Sequence, residues 1–187
     1  MSRAVLSIGS NLGDRLGHLR SVTEALGDRI VAVSPVYTTA PWGEVDQQDF
    51  LNAVVVADDP ALDSSGWLRL GQQLEAAADR VRVQRWGPRS LDVDVVTCDE
   101  IVSDDPELTL PHPRAHQRAF VLVPWLDVAP DAALTVDGER RPLVDWLADL
   151  DDAERVGVQR TDLRLTDDPG HRDPGHWDPG QQGENRC

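Results

Sequence analysis

The chain has 187 residues, 40% of them hydrophobic, which supports one well-cored domain with at most a tail. It carries 33 acidic and 18 basic residues, a formal net charge of −15, and every basic residue is an arginine. That balance argues against a broad nucleic-acid surface, which needs a basic stripe, and no apolar run is long enough to indicate a membrane span. Cys98 and Cys187 give neither a disulfide framework nor a metal-ligand spacing, and the N-terminus enters a strand pattern without a signal-peptide form. A cytoplasmic protein is expected.

Residues 4–8 read as a buried strand, and 9–13, from Gly9 to Gly13, as a structural turn that matches no phosphate-loop or dinucleotide fingerprint. Leu16, Leu19, Val22 and Leu26 recur with a helical period that ends near Gly27. Residues 30–38 form a second strand, where Pro35 marks an edge or a bulge. The loop 39–43, with Thr39, Pro41 and Trp42, has a restricted backbone that can offer donors and acceptors to a flat heterocycle. A third strand, 50–57, contains Asn52. That amide is either a capped core group or a reader of an aminopyrimidine-like edge, because it presents a donor and an acceptor together. Residues 62–78 are helical, with Gln72 and Glu75 on one side, by default a solvated face.

The segment 80–89 holds Arg80, Arg82, Arg85 and Arg89 without one acid, and it runs directly into Asp92-Val93-Asp94. Arginine forks bind phosphate oxygens, and hard divalent cations take carboxylate oxygens. Residues 91–96 alternate as a strand does, so Asp92 and Asp94 share one face with Cα atoms roughly 6.6–6.8 Å apart. Two metal ions roughly 3.5–4 Å apart would fit between them; alternatively, the acids line the solvent face of an edge strand. Gly87-Pro88 makes the arginine segment a loop from 84 to 90. Trp86 within it either covers a bound nucleotide or is pinned on the core.

An acidic connection, 99–107, leads to an extended 108–113 held by Pro111 and Pro113. His112 between them is a structural histidine or a phosphate contact. A helical turn at 114–120 brings Arg118 near Phe120, followed by an apolar 121–128, a short strand at 134–136 and a final helix at 143–150. Asp-Pro-Gly recurs at 168, 173 and 178, and residues 166–187 read as a disordered acidic tail after a domain spanning 1–165. The expected class is α+β: a single-domain ferredoxin-like βαββαβ core with extra C-terminal helices and a short strand.

Five stretches together resemble the 6-hydroxymethyl-7,8-dihydropterin pyrophosphokinase family of folate biosynthesis: 8–13, 34–41, 49–53, 85–94 (Arg-Trp-Gly-Pro-Arg-Ser-Leu-Asp-Val-Asp) and 110–120. They lie in the family's order and cover roughly residues 4–150. The resemblance implies transfer of the pyrophosphoryl group of ATP to the pterin's hydroxymethyl oxygen, releasing AMP. It implies that Asp92 and Asp94 hold two Mg2+ ions. It places Arg80, Arg82, Trp86 and Arg89 in the catalytic machinery, with Trp86 and Arg89 on a loop that seals the site. Arg80, Arg82, Arg89, His112 and Arg118 would contact the nucleotide's phosphates, Trp86 would bind the nucleotide from the sealing loop, and Gln72, Glu75, Val95 and Thr109 would line its adenosine. Phe50 and Phe120 would sandwich the pterin, whose edge is read by Asn52 and the backbone near Thr39, Pro41 and Trp42. ATP and the pterin are then the partners of a monomer, with no nucleic acid and no membrane.

The sequence departs from that pattern at Asp79, where glycine is frequent, at Val83 and Glu107, where some relatives are basic, and at Pro113, where some are aromatic. Phe50 keeps the ring but lacks a tyrosine's hydroxyl. Three other classes remain open on the sequence: an RNA-binding module, against which the net charge speaks; a binding-only pterin or nucleotide protein; and another Asp-x-Asp enzyme such as a sugar-nucleotide transferase, which leaves the Arg-Trp-Gly-Pro-Arg segment unexplained.

Overall fold

The computed structural model describes residues 2–40, 48–78 and 90–166. β1 (Arg3–Ser10) is an interior strand. It extends through Gly9 and Ser10, two residues beyond the expected end, because its antiparallel pairing with β4 (Phe50–Asp58) continues through both and that with β5 (Asp92–Cys98) through Gly9. The expected second strand is two short ones. β2 (Ile30–Val33) and β3 (Tyr37–Thr39) pair with successive parts of β4, separated at Ser34-Pro35, where the Ser34 side chain accepts the Val54 amide instead. A two-residue strand, β10 (Gln159–Arg160), adds to β3, giving the order β10-β3-β4-β1-β5 with β2 also on β4, all antiparallel.

Alternation along these strands sends two apolar sets to opposite faces. Leu6, Ile8, Ala53, Val55, Val93 and Val95 face α1 (Arg15–Leu26) and α2 (Ser64–Ala77), where Leu19, Val22, Leu26 and Trp67 complete one core. Asp14 and Asp63 start these helices by accepting the Gly17 and Gly66 amides at 2.9 and 2.7 Å. α2 lies close on β5 because Gly71 has no side chain: a Cβ there would stand 3.1 Å from Val93 Cγ1. The other face, with Val5, Val54, Val56 and Val96, is covered by α3 (Ala119–Val128) and α4 (Leu143–Ala148) through Val121, Leu122, Trp125 and Leu143. A register shift between Val5 and Leu6 against β5 returns Cys98 to the first core although Val96 lies in the second.

Two hairpins complete the chain. β6 (Ser103–Asp105) pairs with β7 (Leu108–Leu110), so part of the expected acidic connection is a strand. β8 (Ala133–Val136) pairs with β9 (Glu139–Pro142). A cis peptide precedes Pro111, and α5 (Asp152–Val156) follows α4. The α+β class and the βαββαβ core with added C-terminal helices stand as expected. The chain continues as ordered structure to Leu165, which is buried in the first core. The acidic tail lies outside the described residues apart from Thr166. Among the described residues no helix is long and apolar enough to cross a membrane.

Candidate functional site

The register of the central strands builds the floor of the site. Tyr37 stands opposite Asn52, Asn52 opposite Gly9, and Gly9 opposite Asp92, so one row crosses β3, β4, β1 and β5. The row toward the sheet's far end is Val54, Ser7 and Asp94. With neighbouring strands about 4.8 Å apart, Asn52 and Asp92 lie about 10 Å from each other across Gly9. Gly9 is the residue that sequence reasoning assigned to a turn. A Cβ at Gly9 would sit 3.1 Å from Asn52 Oδ1 and 4.0 Å from Phe50 Cδ1, so glycine permits the amide and the ring to approach the floor. The available signal was a side-chain-free residue immediately after a buried apolar strand.

Asp92 and Asp94 project to the face opposite Val93 and Val95, as expected. A guanidinium and an imidazole converge on Asp94 there. Arg118 Nη1 lies 3.4 Å and His112 Nε2 3.9 Å from Asp94 Oδ2. His112 is fixed by its own backbone: its amide donates to Val96 O at 2.8 Å, and its Nδ1 accepts the Arg114 amide at 3.2 Å. An accepting Nδ1 leaves the proton of a neutral ring on Nε2, the atom that faces Asp94. Burial pushes the His112 pKa below the ordinary value, with Arg118 adding to the fall and Asp94 and Asp92 opposing it. The Arg118 guanidinium also lies over the Phe120 ring, 5.5 Å from its centroid, within cation–π reach.

Of the residues expected on the pterin side, Thr39, Phe50 and Asn52 are brought together at one end of this face. Thr39 pairs with Phe50 across β3 and β4, and Asn52 Nδ2 donates to Thr39 Oγ1 at 2.9 Å. The buried Asn52 amide is therefore held by a hydroxyl, and its Oδ1 is turned to the Gly9 floor. Phe50 and Phe120 are both half-buried, at the starts of β4 and α3.

The residues expected to line the adenosine lie elsewhere. α2, β5 and β7 are mutual neighbours at the free edge of β5, and they carry Gln72, Glu75, Val95 and Thr109. Gln72 is exposed, and the Thr109 hydroxyl donates to Asp105 O at 3.1 Å. Glu75 departs from the expected solvated helix face: it is buried, and its Oε1 accepts the Val93 amide at 3.0 Å. That carboxylate satisfies a backbone donor at the sheet edge, a partner no helical wheel reveals. Val95 is buried in the first core. Pro41, Trp42, Arg80, Arg82, Trp86 and Arg89 lie outside the described residues.

Two carboxylates on one face of a strand, with the Asp94 side chain 37% exposed, suit a hard divalent cation, whose ligands are oxygens. Among the described residues no group of three or more histidine, cysteine or carboxylate side chains is arranged to hold a metal. Asp92 and Asp94 would therefore share the ion with ligands from outside that set, and phosphate oxygens are the kind usual for a phosphoryl-transfer site.

A family model for 7,8-dihydro-6-hydroxymethylpterin-pyrophosphokinase matches residues 5–130. The chain is 54% identical over 168 residues to the 2-amino-4-hydroxy-6-hydroxymethyldihydropteridine pyrophosphokinase of Mycobacterium tuberculosis, covering 85% of this chain and 89% of that protein. The identically named protein of Mycobacterium leprae is 55% identical over 175 residues, with 88% and 92% covered. That of Methylorubrum extorquens is 43% identical over 166 residues, with 87% and 100% covered. Among solved structures, an HPPK-DHPS crystal structure in complex with substrates superposes with a TM-score of 0.59 at 11% identity, over 79% of this chain and 43% of that one. This chain thus spans less than half of that protein, and the likeness is one of fold. Matched over the span that carries the floor row, both aspartates and the Arg118–Phe120 turn, the chain belongs to the 7,8-dihydro-6-hydroxymethylpterin-pyrophosphokinase family.

Proposed function

We infer that this chain transfers the pyrophosphoryl group of ATP to the hydroxyl of 6-hydroxymethyl-7,8-dihydropterin, giving the pterin diphosphate and AMP, in tetrahydrofolate biosynthesis. The enzyme class follows from family membership, and an ATP-dependent transfer of this kind calls for a divalent metal. The observation that carries the residue-level reading is the convergence of Arg118 and His112 on Asp94, in the row beside the Asn52–Gly9–Asp92 floor. It supports a phosphate-binding region two strand spacings, about 10 Å, from a heterocycle-binding one.

The roles follow from chemistry. Asp92 and Asp94 would hold Mg2+, two ions with ATP bound, and the metal would supply charge neutralisation at the phosphate oxygens. Arg118 binds phosphate through its guanidinium and His112 through the Nε2 proton. Thr39 and Asn52 present hydrogen-bonding groups to the pterin edge between the rings of Phe50 and Phe120, with Pro41 and Trp42 contributing from their loop. Gln72, Glu75, Val95 and Thr109 bound the adenosine at the β5 edge. Arg80, Arg82, Trp86 and Arg89 act on the phosphates and exclude water, a role that rests on the sequence alone.

The hydroxymethyl oxygen attacks the β-phosphorus in line, and the bond to the α-phosphate oxygen breaks to release AMP. Positioning and charge stabilisation supply the rate, and no side chain is needed as a general base. The chain works as a cytoplasmic monomer without nucleic acid.

The test is AMP release from ATP and Mg2+, with and without the pterin. Pterin-dependent AMP without ADP is expected. Saturable pterin or ATP binding without AMP overturns the catalytic reading in favour of a binding protein, and points to Asp79, Val83 and Glu107 as the changes responsible.

A further inference from the structure

Residues 151–165 lie beyond the family match. They nonetheless touch both sides of the pterin region. At one end, α5 lies beside α3, and Glu154 Oε1 accepts the Ala119 amide at 3.3 Å. The first amides of a helix have no partner within it. Arg118, which precedes α3, makes no side-chain capping bond, and Ala119 is fully buried. The acceptor therefore comes from another element. Ala119 stands between Arg118 and Phe120, so fixing its amide fixes the residue that reaches Asp94 and the ring proposed to stack on the pterin.

At the other end, β10 pairs with β3, setting Gln159 opposite Thr38 and Arg160 opposite Tyr37. Thr161 then donates twice to Val36 O, from its amide at 2.9 Å and its hydroxyl at 2.8 Å. β3 is thereby held between β10 and β4, with Thr39 at its end. The segment is anchored past this point. Leu165 is buried in the first core, its carbonyl accepts the Thr23 hydroxyl at 3.3 Å, and Arg20 donates to the Arg164 carbonyl at 3.1 Å.

We propose that residues 151–165 form a strap that positions both walls of the pterin site, with Glu154 as the positioning residue for Arg118 and Phe120 and Thr161 as that for β3 and Thr39. The identity of the ligand rests on the function proposed above; the strap itself rests on the contacts just described. Glu154 touches neither substrate. Its effect passes through the Ala119 amide.

The experiment uses the full chain with Glu154→Ala, Glu154→Gln and Arg155→Ala, followed by steady-state AMP release and calorimetric titration of the pterin. Glu154→Ala is expected to raise the pterin KM and Kd about tenfold, the usual size of effect when a buried amide loses its acceptor. Glu154→Gln keeps an accepting oxygen and is expected to restore both to within about twofold. Arg155→Ala breaks only the exposed Arg155–Asp152 pair on α5 and leaves both unchanged. A folded Glu154→Ala with wild-type pterin affinity overturns the proposal, as does a Glu154→Gln as weak as the alanine variant. Should Glu154→Ala not fold, Thr161→Val decides: it removes the hydroxyl's bond to Val36 O and its acceptance of the Leu163 amide, keeps the backbone bond to Val36 O, and the pterin Kd is expected to rise about threefold. An unchanged Kd overturns the strap. Absence of AMP from the wild-type chain defeats the functional reading instead, while the titrations still read the strap.

Discussion

The two faces of β5 are made from alternate residues of one seven-residue strand, and they do opposite things. Val93 and Val95 are buried against α2 and belong to a continuous apolar core. Asp92 and Asp94 face the other way, half-exposed, with Arg118 and His112 brought up to Asp94. One face excludes water and contributes stability. The other gathers like charges that a stable sheet would not choose, and leaves them partly open to solvent. Strand alternation separates the two roles by one residue, so substitutions one position apart should fail in different ways.

The largest expected effect is on the acidic face. Asp94→Asn removes a charged oxygen from the proposed metal and phosphate region, and turnover should fall by about 100- to 1,000-fold, the range seen when one electrostatic stabiliser is lost. Stability should change by less than about 1 kcal/mol, because the Arg118 pair is partly exposed and such pairs contribute little. AMP release and urea unfolding of the same sample read both quantities. Near-normal turnover at saturating Mg2+ would remove Asp94 from the metal site. Its neighbour should behave inversely. Val93→Ala deletes two buried methyl groups beneath Gly71 and should cost roughly 2 kcal/mol in unfolding, with KM and kcat unchanged in the folded protein. A kinetic defect in folded Val93→Ala would show that the faces are not separable.

Glu75 tests where the boundary between the faces lies. Its Oε1 accepts the outward amide of Val93, so Glu75→Ala leaves a backbone donor without that acceptor and should cost about 1.5 kcal/mol. Glu75→Gln keeps an acceptor and should recover most of it. If nucleotide affinity falls in the glutamine variant while stability returns, Glu75 serves both the edge of the sheet and the adenosine. If both return together, its role is the sheet edge alone.

Much of this architecture is legible in the sequence, and the illegible parts share a cause. β1, β4, β5 and the two long helices announce themselves because each buries a face, which imposes a period. Asp92 and Asp94 are visible for the same reason, as acids on the off-beat of an apolar strand. β9 reads Glu-Arg-Arg-Pro, and β10 is Gln-Arg. Neither buries enough to set a pattern; each exists because a partner strand offers backbone groups. The break between β2 and β3 is written in Ser34-Pro35, although the sequence does not say that the Ser34 hydroxyl will replace a strand carbonyl toward Val54. The place of Glu75 is hidden because the donor it satisfies lies on another element. That of Gly9 is hidden because glycine's use in a turn and its use under a close contact look alike until Asn52 is seen above it.

The smallest expected effect concerns a polar pair on the functional face that is structural. Tyr37 stands in the floor row beside Asn52 and is buried, and its hydroxyl donates to Asp127 on α3. Burial pushes the Tyr37 pKa up, the hydrogen bond to Asp127 and that carboxylate's charge push it further, and Arg160 opposes them. A folded-state pKa above the unfolded value of about 10 means that the protonated group contributes its full stability below that pH. The contribution declines as pH rises from about 10 toward the folded value. Tyr37→Phe should therefore cost about 1 kcal/mol at neutral pH, with a difference from wild type that shrinks above pH ~10. The window is favourable, because the chain has no lysine to titrate there and Tyr37 is its single tyrosine. Tyrosinate absorbance of the native protein should stay absent past pH ~10 and appear with unfolding. A native titration near the ordinary value would show that the Asp127 bond does not hold β3 to α3, and would leave the strap and β4 as the supports of that wall.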